Sequence, residues 1–199
     1  MTLVAIVFSA FACLEPMLIR AVEDADSVVV NQGVTAGITI SSPTDITMTM
    51  LSLVQDSAVG DATWNVITNN QAGYSLVVNT SASPALVDSG TSEAFSDYSS
   101  VSKETWLVSD AYEFGWSAYG NDVTGHGTDT DCINTADVPS STLLWEGFNG
   151  VTPIQMASST SETNMAGTTS TICIATEQDT VFAPSGSYSA TITATAITQ

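Results

Sequence analysis

Basic residues are almost missing from this chain. Arg20 and Lys103 stand alone against 21 acidic residues in 199, a formal net charge of -19. Proteins hold a phosphate backbone by neutralising it with Lys and Arg, so two cations exclude nucleic-acid binding. An anionic membrane surface repels such a chain for the same reason. Histidine is scarcer still. His126 is the sole example, which excludes a three-histidine metal centre. The three cysteines show no C-x-x-C or Cys/His spacing for zinc.

Long apolar runs are missing as well. The longest, residues 3–14 (LVAIVFSAFACL), closes at Glu15 and Pro16. It is shorter than the roughly 18 residues a helical membrane span needs, but it suits the apolar centre of a secretion signal. No charged segment precedes it. Cleavage after Ala21, ahead of Val22-Glu23-Asp24, is the expected processing, giving a signal over 1–21 and a mature domain over 22–199. Cleavage after Ala12 would instead place Cys13 first, as in a lipoprotein, although Ala10 stands where a lipobox has Leu. A retained N-terminal assembly helix or strand is the third reading. Loss of residues 1–21 leaves Cys132 and Cys173, and an even pair in an exported chain most simply forms one disulfide. The mature chain is therefore expected outside the cell, at the cell surface, with no membrane span.

What the chain does have is β-forming material. Hydrophobic residues make up 44% of it, enough for a core, and Ser and Thr supply roughly a quarter. From Ser27 onward, short β-branched runs alternate with polar turns. Strands are expected over Ser27–Val30, Gly37–Ser41, Asp45–Leu51, Ala62–Thr68, Tyr74–Asn79, Glu104–Val108, Tyr112–Tyr119, Thr171–Ala175 and Tyr188–Ile197. The clearest pair reads as a hairpin, Thr63–Thr68 and Tyr74–Val78 around Asn69-Asn70-Gln71-Ala72-Gly73. In the last run Tyr188, Ala190, Ile192, Ala194 and Ala196 point one way and the hydroxyls between them the other. The stretch 120–164 reads as long loops held by the disulfide. The fold expected is all-β, a single β-sandwich or jelly-roll-like domain of about eight to ten antiparallel strands.

Several segments carry residues suited to chemistry. Asp122, Asp129 and Asp131, interleaved with Gly125 and Gly127, offer hard oxygen ligands for Ca²⁺ on a glycine-rich loop, the only cofactor the sequence suggests. Ordinary solvated acids are the alternative. Trp106 and Trp116, with Tyr112, Phe114 and Tyr119 nearby, suit either a glycan-stacking platform or core filling. Val87-Asp88-Ser89-Gly90-Thr91 is similar to an aspartic-protease loop, but the partner loop that such catalysis needs is missing, and a turn is expected. Gly125-His126-Gly127-Thr128 is similar to the histidine segment of subtilisin-like proteases without their serine segment, so a loop histidine is expected. Lys103 reads as a lone surface cation, with an isopeptide to an Asn near a carboxylate as its chemical alternative.

Three segments together, Gly60-Asp61-Ala62-Thr63-Trp64-Asn65-Val66, Tyr112-Glu113-Phe114-Gly115-Trp116-Ser117-Ala118-Tyr119-Gly120 and Pro184-Ser185-Gly186-Ser187-Tyr188, carry a resemblance. The chain resembles uncharacterised secreted β-sandwich surface proteins of ultra-small candidate-phyla bacteria, and more loosely the WxL-type cell-surface domains. The resemblance implies a structural or adhesive role and no active-site residues. The function expected is a non-catalytic subunit of an extracellular filament or coat, partnered with copies of itself. Val28, Val29 and Val30 are the candidate assembly strand. The alternative is a monomeric adhesion module binding cell-surface glycans, with or without Ca²⁺.

Overall fold

The computed structural model describes residues 27–53, 56–98, 102–107 and 112–199. The expected secretion segment, with Cys13 and Arg20, lies outside them. Two compact units are present, Met1–Val34 and Thr35–Gln199. In the first, Ser27–Val34 form no strand. Val28, Val29 and Val30 are 87%, 79% and 83% exposed, so the strand expected at Ser27–Val30 is not formed. A β-branched run extends favourably only where a sheet edge receives it.

The second unit is all-β. Its larger sheet places β1 (Ile38–Ile40), β2 (Ser57–Thr68), β10 (Thr168–Gln178), β6 (Tyr112–Gly120) and β5 (Ser96–Asp97) side by side in that order. All its pairings are antiparallel except β5 with β6. A three-stranded antiparallel sheet orders β12 (Ile192–Thr198), β3 (Tyr74–Thr80) and β9 (Ile154–Ser159). Two small ribbons complete the set: β4 (Val87–Asp88) with β11 (Tyr188–Ser189), and β7 (Ile133–Thr135) with β8 (Val138–Pro139).

Strand alternation explains the packing. One face of the larger sheet presents Trp64 and Val66 from β2, Ile172 and Ile174 from β10, and Phe114 and Trp116 from β6. The smaller sheet returns Tyr74, Leu76, Val78 and Met156 into the same core. The opposite face of the larger sheet is also covered. There Val59, Cys173 and Ala175 pack with Tyr98, Leu143 and Trp145. Cys132 bonds to Cys173 across 41 residues of sequence, which fixes the chain following β6 onto the outer face of β10. The disulfide expected between these two cysteines is present.

The expected hairpin is corrected. β2 pairs with β1 and β10, whereas β3 pairs with β12 and β9. Residues 69–73 are therefore a corner carrying the chain from one sheet to the other. Trp64 and Val66 do alternate, and Tyr74, Leu76 and Val78 do share a face, but the two sets meet across the core. Gly73 allows the corner: its φ is +84°, and a Cβ there would strike the Ser159 carbonyl. The run expected at Asp45–Leu51 forms no strand, and of that expected at Glu104–Val108 the described residues 104–107 form only a single bridge at Glu104, Val108 lying outside them. The last run divides into β11 and β12, and its expected inward face, Tyr188 through Ala196, is the half-buried one.

Candidate functional site

The most unusual chemistry lies on the edge of β6, where the only histidine and the only lysine of the described residues meet. The tongue Gly125-His126-Gly127 makes this possible. Both glycines have positive φ, +79° and +97°, and a Cβ on Gly127 would collide with the Thr142 carbonyl. The tongue runs beside the 142–146 segment, with the Leu144 amide donating to the His126 carbonyl at 2.8 Å. The result is a histidine 1% exposed, its ring 4.8 Å from the Trp116 ring. The loop histidine expected from sequence is buried, because two glycines let the backbone turn tightly enough to bring it inside.

Its partners assign the tautomer. Nε2 lies 2.6 Å from Lys103 Nζ, which can only donate, and Nδ1 lies 3.3 Å from the Leu144 carbonyl, which can only accept. The ring is therefore neutral, with its proton on Nδ1. The Ser117 hydroxyl donates to the same carbonyl at 2.8 Å. Lys103 Nζ also reaches Glu146 Oε1 at 3.3 Å, and that oxygen is 3.7 Å from His126 Nε2. The Lys103 and Glu146 side chains are 23% and 17% exposed. The lone surface cation expected at Lys103 is thus corrected to a half-buried ion pair.

Backbone pairing builds the site. Trp116 and Glu146 exchange hydrogen bonds of 2.8 and 2.9 Å on the edge of β6, and Glu104 pairs with Trp145. An antiparallel bridge at Glu104 and Trp145 sets Lys103 opposite Glu146. Burial and the neighbouring Lys103 ammonium push the His126 pKa down to about 3. Burial raises Glu146 above the usual carboxylate range, with Lys103 opposing that rise.

These shifts predict an acid sensitivity. Unfolded His126 takes up a proton near pH 6.5, whereas the folded protein resists protonation down to about pH 3. Its contribution is therefore present above pH 6.5 and is lost as pH falls between those values. Glu146 acts in the opposite sense, since its raised folded pKa makes acidification favour the folded form. The net expectation is that urea midpoints fall from pH 6.5 to 4, and that His126→Phe flattens this slope. An unchanged slope in that variant would refute the assignment.

The other candidate residues are dispersed. Asp122 accepts from the Tyr74 hydroxyl at 2.7 Å, and this carboxylate together with burial raises the tyrosine pKa. Asp129 accepts from Ser140 and Thr142, which hold its carboxyl below the usual range. Asp131 accepts from the Ile133 amide at 3.1 Å. Among the described residues no three acidic, histidine or cysteine side chains converge on a metal position. The three aspartates expected to share calcium thus have separate partners, Tyr74, the Ser140–Thr142 hydroxyls and the Ile133 amide. Trp116 is 0% exposed, so the binding role considered for it is corrected to core filling. Trp106 is half-buried, stacked on Tyr98 at 4.6 Å and donating its Nε1–H to Glu177. Asp88 accepts from the Gly90 amide and the Thr91 hydroxyl of its own turn, as a simple turn would.

Sequence reading singled out Lys103 and His126 separately and missed Glu146 and Tyr98. Their scarcity was the available signal: a chain with a single Lys and a single His after residue 20 has few other uses for them. Compared with family models, curated proteins and solved structures, the chain matches none.

Proposed function

We propose that this protein is a secreted, non-catalytic structural protein of the cell surface, a subunit that assembles with copies of itself into a filament or coat. The observation that carries the reading is an apolar groove of 1120 Å³ in the 35–199 unit. The two sheets that flank the core have strands of unequal length. β2 and β10 have 12 and 11 residues, β3 and β12 only seven each, so the larger sheet outruns the smaller. Trp64, Phe114, Ile172 and Ile174 line the space, flanked by residues 43–53 and 182–192. Residues 43–51 carry no strand.

The occupant we assign is the Val28-Val29-Val30 run of a neighbouring copy. That run is apolar, β-branched and exposed, and strand addition supplies affinity through the backbone and specificity through alternate side chains. A net charge of -19 on every subunit opposes the contact at low ionic strength. Negative-stain microscopy and light scattering should therefore show assemblies of the chain beginning at Val22 that grow with salt or millimolar Ca²⁺. A chain beginning at Thr35, or carrying Val29→Asp, should stay monomeric. Monomers of the longer chain at every ionic strength would sink the reading and leave glycan binding through Trp106 in its place.

A further inference from the structure

We propose that Lys103 and Glu146 become joined by an intramolecular amide bond, Nζ to Cδ, with His126 relaying the proton. This inference concerns the folded subunit alone and stands whether or not copies assemble. Three observations carry it. The two groups are held face to face by backbone pairing, with Nζ 3.3 Å from Oε1. Groups fixed at such a distance react with effective molarities far above any free amine and acid. Next, the cluster is screened from water: Trp116 lies beneath, with Nζ 5.8 Å from its ring centre, and both side chains are largely covered. Finally, a neutral imidazole nitrogen sits 2.6 Å from the amine and 3.7 Å from the carboxyl oxygen, within reach of both atoms between which a proton must move.

The chemistry closes without a further reactant. An ammonium and a carboxylate have together the atoms of one amide and one water. His126 Nε2 takes one proton from Nζ, and the nitrogen passes its second to a Glu146 oxygen once it has added to Cδ. The freed lone pair attacks Cδ, the Nζ–Cδ bond forms, and a Cδ–O bond breaks. The imidazolium returns its proton to the departing hydroxyl, which leaves as water. Both buried charges disappear in the product, relieving the desolvation that makes half-buried ion pairs weak stabilisers. Imidazole Nε2 can then accept from the new amide N–H. The bond would tie the 102–107 segment to the 143–148 segment on the edge of β6, beside the region that the disulfide already fastens.

Lys103 is the only lysine in the chain, which makes the test direct. Full-length protein is reduced, denatured and weighed by mass spectrometry beside a Lys103→Arg variant prepared identically. The expected result is a wild-type chain lighter than its sequence by one water, and a variant at its sequence mass. Under the same denaturing conditions an amine-reactive ester should label the wild-type chain at its N-terminus only, and trypsin should fail to cleave after Lys103. A wild-type chain at full sequence mass, with Lys103 labelled and cleaved, would overturn the proposal. For the relay, refolded His126→Phe should lose water about a hundredfold more slowly than wild type. Equal rates would remove His126 from the step.

Discussion

Replacing Trp116 with alanine should destabilise the protein by about 3–5 kcal/mol, the range for emptying a large aromatic site in a core. Trp116 is wholly buried. Its ring lies 5.7 Å from Phe148 in a stacked arrangement and 4.8 Å from His126. It thus supports both the central core and the histidine tongue. Its indole Nε1 has no hydrogen-bond partner although buried. A phenylalanine at this position removes that unsatisfied donor and keeps most of the ring contact, so Trp116→Phe should cost far less than Trp116→Ala. Urea unfolding monitored by circular dichroism would measure both. If Trp116→Ala were as stable as wild type and altered glycan binding instead, the core assignment would fail.

Replacing both disulfide cysteines by serine should cost about 4 kcal/mol on the chain-entropy view, because the bond closes a long loop. The separation is 41 residues. Within that loop lie Leu143, Trp145, Phe148, Met156 and Ala157, all buried. The loss should therefore be structural as well as entropic. Hydrogen exchange should show the 125–146 region opening first, since it covers the outer face of β10 and has few paired strands of its own. Cys132→Ser alone leaves Cys173 as a buried thiol and should be nearly as unstable. An unfolding midpoint unmoved by the double substitution would mean that side-chain packing holds the region unaided. The proposed Lys103–Glu146 bond fastens the same region from its other side, so Lys103→Arg in the disulfide-free protein should be more damaging than in wild type.

The disulfide helps an anionic chain with few charge pairs keep a long irregular segment in place. Surface ion pairs contribute little, and with two basic residues there is little scope for them. Covalent closure and a buried aromatic layer take their place. Tyr98, Trp106 and Trp145 pack as a stacked pair with an edge-on third ring. Gly115 on β6 leaves the room they need, since a Cβ there would meet Trp106 and Tyr98.

The residues by themselves determined the all-β class, the Cys132–Cys173 disulfide, and which side of most strands is buried. Those properties are local. Alternation with period two marks a buried face whatever the partner is, and once Cys13 is assigned to the expected secretion segment the two remaining cysteines have one pairing. They could not say which strands lie side by side. Trp64 with Val66 and Leu76 with Val78 show the same pattern as hairpin neighbours or as facing layers, and only the pairing of β2 with β10 and of β3 with β9 decides between them. The same holds for the site. Spacing along the chain brought three aspartates together on paper, whereas folding gave each a different partner: Tyr74 for Asp122, Ser140 and Thr142 for Asp129, and the Ile133 amide for Asp131. Lys103, His126 and Glu146 are separated by 23 residues and by 20, and no local pattern links them. They meet because two positive-φ glycines turn the chain inward and an antiparallel bridge sets Lys103 opposite Glu146, long-range geometry that arises only when the sheets close.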